Sequence, residues 1–247
     1  MSHKVFIAPD LQVPFQDRAF VAAMADAIYD LKDEGDRVCS IGDEMDMQTI
    51  SRWAEGTPLA HQRSIGKDRD ETVEVLRDLQ VTDMIRSNHT DRLYNYVMKN
   101  APGLLGLPEL GLREFFRLDD LGITFHENGW RFAPGWIALH GDEAGASQIS
   151  GQTARGLSTK TGLSVVCGHS HRLGMIPTTL SVNGVVTRTQ FAIEVGHAMD
   201  LRKATYAKTH NWQQGWCVLH IDGKTVTPEL IPVVNKGFTI MGKRYSW

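Results

Sequence analysis

Five short polar clusters in this sequence carry the residue types that bind divalent metal ions. Each cluster follows an apolar segment, and its chemical groups are carboxylates, amides and imidazoles rather than thiols. The clusters are Asp10-Leu11-Gln12, Gly42-Asp43-Glu44-Met45-Asp46, Ser87-Asn88-His89, His140-Gly141-Asp142 and Gly168-His169-Ser170-His171. Oxygen and imidazole donors favour Mn, Fe, Zn, Mg or a mixed pair over a structural zinc site built from cysteines.

Each cluster taken alone also has an ordinary structural interpretation. Asp10 follows a proline and is typical of a turn, Asn88 begins a glycosylation-like triplet, and His140 fits a hydrogen-bonded core histidine. His169 and His171 are harder to explain in this way, because two histidines two residues apart in a Gly/Ser turn point in one direction. A shared metal site therefore depends on where the fold places all five clusters.

Alternating strands and helices position the first three clusters. Apolar segments at 4–8, 37–41 and 82–86 predict strands, and amphipathic segments at 17–35 and 69–79 predict helices. Strand–helix–strand alternation implies parallel pairing in a sheet covered by helices. Ligands of open α/β sheets bind beyond the carboxyl ends of the strands, so these clusters are expected to converge.

The second half of the chain has more β-structure. Strands are predicted at 136–139 and 163–167, with a polar helix at 144–160 between them. Two hairpin turns are predicted, at Asn183-Gly184 and Asp222-Gly223. Because no repeat or Gly/Ser linker divides the chain, we predict a single α/β domain, residues 1–247, built on two β-layers.

The overall composition excludes several classes of protein. The chain has 247 residues, 42% of them hydrophobic, and a formal net charge of −3, so it can bury a core but has no general attraction for nucleic acid. Its three cysteines are far apart, which argues against a disulfide framework and predicts a cytoplasmic protein. No segment approaches the length of an apolar membrane span, so we expect no membrane partner.

Two further sets of residues, the tryptophans and six of the histidines, lie outside the predicted site, and these histidines are predicted to be structural or surface residues. The tryptophans do not alternate with basic residues, so the sequence indicates no aromatic platform for nucleic-acid bases. Six histidines lie outside the strand-end pattern: His3, His61, His126, His197, His210 and His220.

In order and spacing, the five clusters resemble the motifs of the calcineurin-like metallophosphoesterase family. That family has D-x-H, G-D-x-x-D, G-N-H-[D/E], a histidine before glycine, and G-H-x-H. The corresponding segments here are Asp10-x-Gln12, Gly42-Asp43-x-x-Asp46, Ser87-Asn88-His89-Thr90, His140-Gly141 and Gly168-His169-x-His171. The resemblance covers residues 4–171 and implies a four-layer αββα sandwich of two packed β-sheets flanked by helices. Segments 10–15 and 87–93 resemble bacteriophage-encoded members, which implies the host cytoplasm as the location.

The resemblance also implies a role for each residue of the clusters. Asp43 would bridge two divalent metal ions, Mn most readily, with Fe, Zn, Mg, Co and Ni as alternatives. The first ion would be held by Asp10, Gln12 and His171, and the second by Asn88, His140 and His169. Two divalent ions and two carboxylates leave a site charge near +2, which attracts a phosphoryl group.

Residues beside the ligands have implied roles in catalysis. His89 would act as the general acid, or as a donor to the developing charge. Asp91 and Asp142 would orient imidazoles, and Arg92 and Arg172 would contact phosphate unless they form surface ion pairs.

Three positions depart from the family pattern. Gln12 replaces a histidine ligand, Ser87 replaces a glycine, and Thr90 replaces the acid after the Asn-His pair. The acid lies one residue later, at Asp91. Six of the seven ligand positions nevertheless match the family.

The implied function is metal-dependent hydrolysis of a phosphate ester. We favour a phosphodiesterase acting on small or cyclic nucleotide-type substrates, with a DNA or RNA nuclease as the alternative. A protein phosphatase is less favoured, because Met47 follows Asp46 where those enzymes typically have arginine. A non-catalytic, metal-stabilised binding or scaffold protein is kept as a different class. The oligomeric state is left open.

Overall fold

The computed structural model describes residues 2–203 and 211–247, and His210 lies outside these ranges. The α-helices in them are α1 (Arg18–Leu31), α2 (Ile65–Asp78), α3 (Asp91–Asn100), α4 (Leu112–Phe115) and α5 (Gln152–Thr161). The strands are β1 (Ser2–Ala8), β2 (Arg37–Ser40), β3 (Asp83–Ile85), β4 (Thr124–His126), β5 (Trp130–Ala133), β6 (Trp136–Ala138), β7 (Ser164–Cys167), β8 (Leu173–Val182), β9 (Val185–Val195), β10 (Gly215–Asp222), β11 (Thr225–Pro232), β12 (Gly237–Ile240) and β13 (Lys243–Ser246).

The first sheet contains the three strands predicted in the first half of the chain. Its order is β11-β10-β1-β2-β3-β4. Strands β1 to β4 are parallel, as the strand–helix alternation predicts, whereas β10 and β11 are antiparallel to their neighbours. The carboxyl ends of β1, β2 and β3 therefore lie at one edge of this sheet.

The second sheet brings the remaining two clusters to a common edge. Its order is β5-β6-β7-β9-β8, with β6, β7 and β9 parallel and antiparallel strands on both sides. Strands β12 and β13 form a separate two-stranded ribbon.

Alternating side chains of β1 show how the layers pack. Val5 and Ile7 belong to the apolar cluster shared by the two sheets, which also contains Val166 and Ile193 of the second sheet. Phe6 belongs instead to the cluster that covers the helix-facing side of the first sheet. On the far side of the second sheet, residues of β6 and β7 pack against α5. The four layers are therefore helices, sheet, sheet and helix, and the predicted fold class is confirmed.

Local capping explains where two of the helices begin. The carboxylate of Asp17 accepts from the N–H groups of Ala19 and Phe20, so α1 starts where predicted. Helix α2 begins four residues before the predicted position, because the hydroxyl of Ser64 accepts from the N–H of Lys67 and caps the first turn.

The prediction of a helix at 144–160 is wrong for the first half of that segment. Helix α5 begins only at Gln152, and turns and bends precede it. Gly151 at its start has φ of +82°, a left-handed conformation that ends the preceding loop. The free N–H groups of Thr153 and Ala154 donate to Glu194 of β9, a partner that local periodicity does not reveal.

The predicted hairpins are both present. Asn183 and Gly184 have φ of +51° and +78° and join β8 to β9 by a two-residue turn. Gly223, with φ of +58°, opens the turn between β10 and β11. Among the described helices, none is both long and apolar enough to span a bilayer.

Candidate metal centre

The five predicted clusters meet where the edges of the two sheets adjoin. Asp10, Asp43 and Asn88 follow β1, β2 and β3 of the first sheet, while His140 and His169 follow β6 and β7 of the second. Two groups of side chains there have ligand atoms within 4.8 Å of one another. One is Asp43, His140 and His169; the other is Asp10, Asp43 and His171. Asp43 belongs to both groups.

The backbone is left-handed at four of the seven predicted ligands. The φ angles are +54° at Gln12, +53° at Asp43, +64° at His169 and +58° at His171. Residues other than glycine rarely adopt this backbone conformation, and those that do are concentrated at functional sites. These loops turn sharply at the strand ends, which directs the ligand side chains toward one another.

Two glycines allow the clusters to approach closely. A Cβ on Gly42, whose φ is +109°, would overlap the ring of His140 and the side chain of Ser87. A Cβ on Gly168 would overlap the carboxylate of Asp10. The glycines of the two motifs therefore make room for ligands from neighbouring strands.

His140 faces oxygen acceptors rather than donors. Its Nδ1 lies 2.9 Å from the carbonyl oxygen of Ile41, so this nitrogen carries a proton. Its Nε2 lies 3.1 Å from Oδ1 of Asn88 and 3.2 Å from Oδ1 of Asp43. Burial lowers the pKa of His140, but the Asp43 carboxylate outweighs this and raises it to about 10. Nε2 thus lies where positive charge is stabilised, and a cation shared with these oxygens fits the site.

Asp10 of the second group and the neighbouring Gln12 have buried oxygens that the described residues do not satisfy. Oδ2 of Asp10 accepts from the N–H of His169 at 2.8 Å and lies 3.3 Å from Nε2 of His171. Oδ1 of Asp10 and Oε1 of Gln12 are buried without a hydrogen-bond partner among the described residues. Because leaving a buried acceptor unsatisfied is costly, these atoms fit a cation that they would bind.

Gln12 also contacts Asp43, the residue common to both groups. Its amide Nε2 donates to Oδ2 of Asp43 at 2.9 Å, so its oxygen is the atom that would bind a cation. Burial alone would raise the pKa of Asp43, but His140 and His89 nearby hold it well below its usual range. The Asp43 carboxylate is therefore ionised.

The departures at Ser87 and Thr90 form one hydrogen-bonded unit. The hydroxyl of Ser87 accepts from the N–H groups of Asp43 at 3.0 Å and Thr90 at 3.2 Å. The hydroxyl of Thr90 accepts from the N–H of Ser87 and donates to its carbonyl. Ser87 thus fixes the backbone at Asp43 directly, a contact that glycine cannot make.

His89 contacts Arg92 rather than a carboxylate. Its Nε2 lies 2.6 Å from Nη2 of Arg92 and 3.7 Å from Oδ2 of Asp43. Burial lowers the pKa of His89 to about 3, with Arg92 acting in the same direction against Asp43. The ring is neutral at pH 7 and accepts from Arg92, so its role as a general acid stays a prediction.

The other predicted neighbours of the site have different outcomes. Asp91 is paired with Arg86 and lines a separate cavity, so its contacts do not orient His89. Asp142 is close enough to His169 to raise its pKa, although burial and His140 lower that pKa overall.

Arg172 is placed differently from the phosphate-binding residue that was predicted. Its guanidinium donates to the carbonyl oxygen of Ser170 and to the amide oxygen of Gln148. The residue is buried and does not line the main cavity. Its described contacts support the loop between His169 and His171 instead.

His197 is a buried neighbour of the site that the sequence analysis classed as structural or superficial. Its backbone forms an isolated parallel β-bridge with that of Asp10, and its ring centroid lies 5.5 Å from that of His171. Its Nδ1 accepts from the N–H of Met199 at 2.9 Å. The signal in the sequence was Gly196-His197 after an apolar strand, the same arrangement as in the fifth cluster.

A cavity of about 500 Å³ opens onto five of the seven predicted ligands, namely Gln12, Asp43, Asn88, His169 and His171. Beyond them its lining includes Asp46, Gln48, Ser51, Trp53 and Arg92. Trp53 is 70% exposed. The loop after β2 carries Trp53 to this cavity, a placement that the sequence did not reveal. The expectation that no tryptophan offers an aromatic platform for bases stays a prediction.

Comparisons with known proteins give two sequence relatives and two distant structural matches. No protein-family model matches the chain. Vacuolar Protein Sorting 29 from Cryptosporidium parvum aligns over 100% of this chain and 99% of its own, with 13% identity and a TM-score of 0.48. The 5'-nucleotidase precursor from Thermus thermophilus aligns over 93% of this chain and 54% of its own, with 12% identity and a TM-score of 0.46.

The sequence relatives are bacteriophage proteins. The "Gene 54 protein" of Mycobacterium phage L5 is 34% identical over 256 aligned positions, which cover 98% of each chain. The "Gene 54 protein" of Mycobacterium phage D29 is 33% identical, again over 98% of each chain. The predicted resemblance to phage-encoded proteins is confirmed. The chain belongs to the family of these mycobacteriophage Gene 54 proteins.

Proposed function

We propose that this protein is a metal-dependent phosphoesterase with a dinuclear centre. The observation that carries the proposal is the pair of ligand groups that share Asp43, each with at least one histidine and a buried carboxylate. One group offers Asp10, Gln12 and His171 beside Asp43, and the other offers Asn88, His140 and His169. Mn²⁺ suits this mixture of oxygen and imidazole donors, with Fe, Zn, Mg, Co and Ni as alternatives.

The charges of the chain favour a phosphate substrate once the site is loaded. Divalent ions bound here would supply positive charge to phosphoryl oxygens and a hydroxide nucleophile near neutral pH. Asp10 and Asp43 offset only part of that charge, and Arg92 adds a guanidinium to the cavity lining. The metal-loaded site would therefore be locally cationic in a chain whose net charge is −3.

Arg92 and His89 form the unit that acts on the leaving group. Arg92 contacts the carbonyl oxygen of Asp46 and lies 3.6 Å from its Oδ1, which holds the guanidinium beside the cavity. A phosphate oxygen that binds Arg92 would release Nε2 of His89. The neutral ring would then take up a proton from solvent at Nε2, which the negative charge of the phosphate favours, and pass that proton to the leaving oxygen. Asp46, whose pKa burial raises to about 6, is the second aspartate of the G-D-x-x-D pattern.

The substrate we favour is a small or cyclic nucleotide-type phosphodiester. A cavity of about 500 Å³ is in the range of small-molecule sites, and the absence of a basic excess argues against a long polyanion. A DNA or RNA nuclease is the alternative within the same chemistry.

The proposal is tested by metal removal and a histidine variant. Chelator-treated protein should not hydrolyse bis(p-nitrophenyl) phosphate, and Mn²⁺ should restore activity. His89→Ala should retain both metal ions, measured by elemental analysis, and lose about 10²–10⁴-fold in kcat. His220→Ala is the control, because His220 pairs with Glu229 on β11 outside the cavity lining.

Three results would contradict the proposal in different ways. Activity that survives complete metal removal excludes the mechanism. Metal loss from His89→Ala makes His89 a ligand. Wild-type protein that binds two metal ions but hydrolyses no diester, monoester or cyclic nucleotide is the metal-stabilised binding protein of the other class.

A further inference from the structure

Trp53 is an exposed indole on the lining of the candidate metal cavity. Single exposed apolar side chains are common on proteins and need no explanation by themselves. Trp53 differs because it lines the same cavity as Asp43, Asn88 and His171 while remaining 70% exposed. The aromatic surface and the phosphate-binding end therefore belong to one space.

The backbone around Trp53 is held by short-range hydrogen bonds. The N–H of Ser51 donates to the carbonyl of Gln48, and the N–H of Ala54 donates to that of Ser51. Ala54 is fully buried, so the residue after the indole anchors the turn in the protein. On this fixed turn the exposed indole needs little reorganisation to bind a ligand.

Arg52 lies against the Trp53 ring. Its guanidinium carbon is 4.7 Å from the ring centroid, within cation–π distance. Trp53 lines the cavity and Arg52 does not. Arg52 can cover only one face of the indole, and the side chain is 70% exposed, so the ring keeps surface on which a second planar group can stack. The guanidinium would add positive charge to that stack.

The polar residues beside Trp53 suit the edge of a heterocycle. Gln48 offers an amide and Ser51 a hydroxyl on the cavity lining, and both groups donate and accept hydrogen bonds. An aliphatic phosphate ester would leave the indole and these groups without partners. A ligand with a phosphate at one end and a flat, hydrogen-bonding ring at the other would contact all of them.

We propose that Trp53 forms a base-binding subsite. The nucleobase of the nucleotide that carries the scissile phosphate would stack on it. This inference rests on the proposed function, since it takes the Asp43 end of the cavity as the phosphate site. Two sources of such a base share this chemistry, namely a free nucleotide and the end of a single strand. Stacking on aromatic side chains is tolerant of base identity, so the subsite selects for a base rather than for one base.

The test measures binding rather than turnover. Mn²⁺-loaded protein is titrated calorimetrically with non-hydrolysable phosphonate analogues of adenosine 5′-monophosphate and of ribose 5-phosphate. Trp53→Ala should weaken binding of the adenosine analogue by roughly 5- to 100-fold, as expected for the loss of one stacked base. Binding of the ribose analogue, which has no base, should be unchanged, and Trp53→Phe should retain most of the adenosine affinity.

Tyr29→Ala is the matched control, because Tyr29 on α1 is 80% exposed and outside the cavity lining. It should leave both affinities unchanged. Equal losses for the two analogues in Trp53→Ala, or no loss for either, would overturn the base-binding subsite. Base-dependent binding in a protein that hydrolyses no phosphate ester would instead overturn the proposed function and leave the subsite standing.

A single-stranded tetranucleotide bearing the same 5′-phosphonate distinguishes the two sources. If it binds more than about tenfold tighter than the mononucleotide and loses affinity in Trp53→Ala, the base belongs to a strand end. If both bind equally and both depend on Trp53, the base belongs to a free nucleotide. If Trp53→Ala changes the affinity for neither the tetranucleotide nor the mononucleotide, the proposal is contradicted.

Discussion

Gln12 differs from the histidine of the family pattern in charge distribution but not in net charge. Its amide nitrogen donates to Asp43, and its buried oxygen has no hydrogen-bond partner among the described residues. A carbonyl oxygen is a harder and generally weaker donor than imidazole toward borderline metals. The site formed by Asp10, Gln12 and His171 should therefore be the weaker of the two and favour Mn²⁺ or Mg²⁺.

We expect Gln12→His to raise the affinity of this site for Co²⁺ or Zn²⁺ more than for Mn²⁺, by about tenfold or ~1.4 kcal/mol. Histidine is among the residues that tolerate the left-handed backbone at this position, where φ is +54°. Calorimetric titration of both proteins with Mn²⁺ and Co²⁺ measures the change. Identical isotherms would mean that Gln12 is not a ligand.

The positions of the predicted ligands could be placed from the sequence because each lies within four residues of the end of a strand; that they bind metal stays a prediction. Asp43 and His169 come within three residues of the ends of β2 and β7, so strand prediction also placed the side chains. Trp53 and Arg172 were not predictable in this way. The first lies in a turn whose path to the cavity is set by tertiary contacts. The second is turned away by its bonds to Ser170 and Gln148.

Among the secondary-structure elements, β9 has a role in the site that its sequence does not reveal. Glu194 of β9 is fully buried and accepts from the N–H of Thr153 at 2.7 Å, capping α5. Its other oxygen accepts from the hydroxyl of Ser170 at 2.8 Å. One carboxylate thus links α5 to the loop that carries His169 and His171, from a position 41 residues after Thr153. The start of α5 depends on this distant cap, which explains the error in the helix prediction.

Ser170 is therefore a positioning residue for the two histidines beside it. Ser170→Ala removes the donor to Glu194 and should lower metal affinity by about 10–100-fold, the effect typical of lost outer contacts to ligands. It should also lower the free energy of unfolding by about 1–3 kcal/mol, because a buried oxygen of Glu194 loses its partner.

The Ser170 prediction is checked by Mn²⁺ titration beside denaturant unfolding. Ser170→Thr keeps the hydroxyl and should restore most of the metal affinity. Ser181→Ala, on the exposed hairpin, should change neither quantity. A Ser170→Ala protein that is destabilised but binds Mn²⁺ as tightly as wild type would make the contact structural only.

The geometry of the site depends on how the two sheets pack against each other. Asp43 and Asn88 come from the first sheet, whereas His140 and His169 come from the second. The apolar cluster shared by both sheets, with Val5, Ile7 and Val166 among its members, holds them together. Burial of such side chains contributes roughly 1.5–3 kcal/mol each. This common core supports the single domain predicted for residues 1–247, which stays a prediction.

The end of the first sheet opposite the site is fixed by charge. Asp36, in the turn after α1, accepts from the N–H of Lys4 at 2.6 Å and from that of Asp33 at 2.9 Å. Its carboxylate also pairs with Nζ of Lys4 at 2.8 Å. Burial raises the pKa of Asp36, but the contacts with Lys4 and Asp33 outweigh burial and lower it below its usual value of 3.8.

A lowered pKa in the folded state means that the unfolded chain binds the proton more readily. The stabilisation is therefore present above the unfolded value near 3.8 and is lost as pH falls through the lower folded value. Asp36→Asn should lower the free energy of unfolding by about 1 kcal/mol at pH 7, since Lys4 remains partly exposed. The difference from wild type should shrink toward zero near pH 2.

Urea unfolding at pH 7, 4 and 2 measures this pH dependence. Asp26→Asn, an exposed change on α1, is the control and should follow wild type at every pH. If Asp36→Asn is equally destabilised at pH 7 and pH 2, its effect comes from packing or backbone geometry, and the ion pair with Lys4 contributes nothing. If the loss is present at pH 7 and disappears as the pH falls from 4 to 2, the ionised carboxylate is what joins the start of β1 to the turn after α1. That contact fixes β1 at the end opposite Asp10.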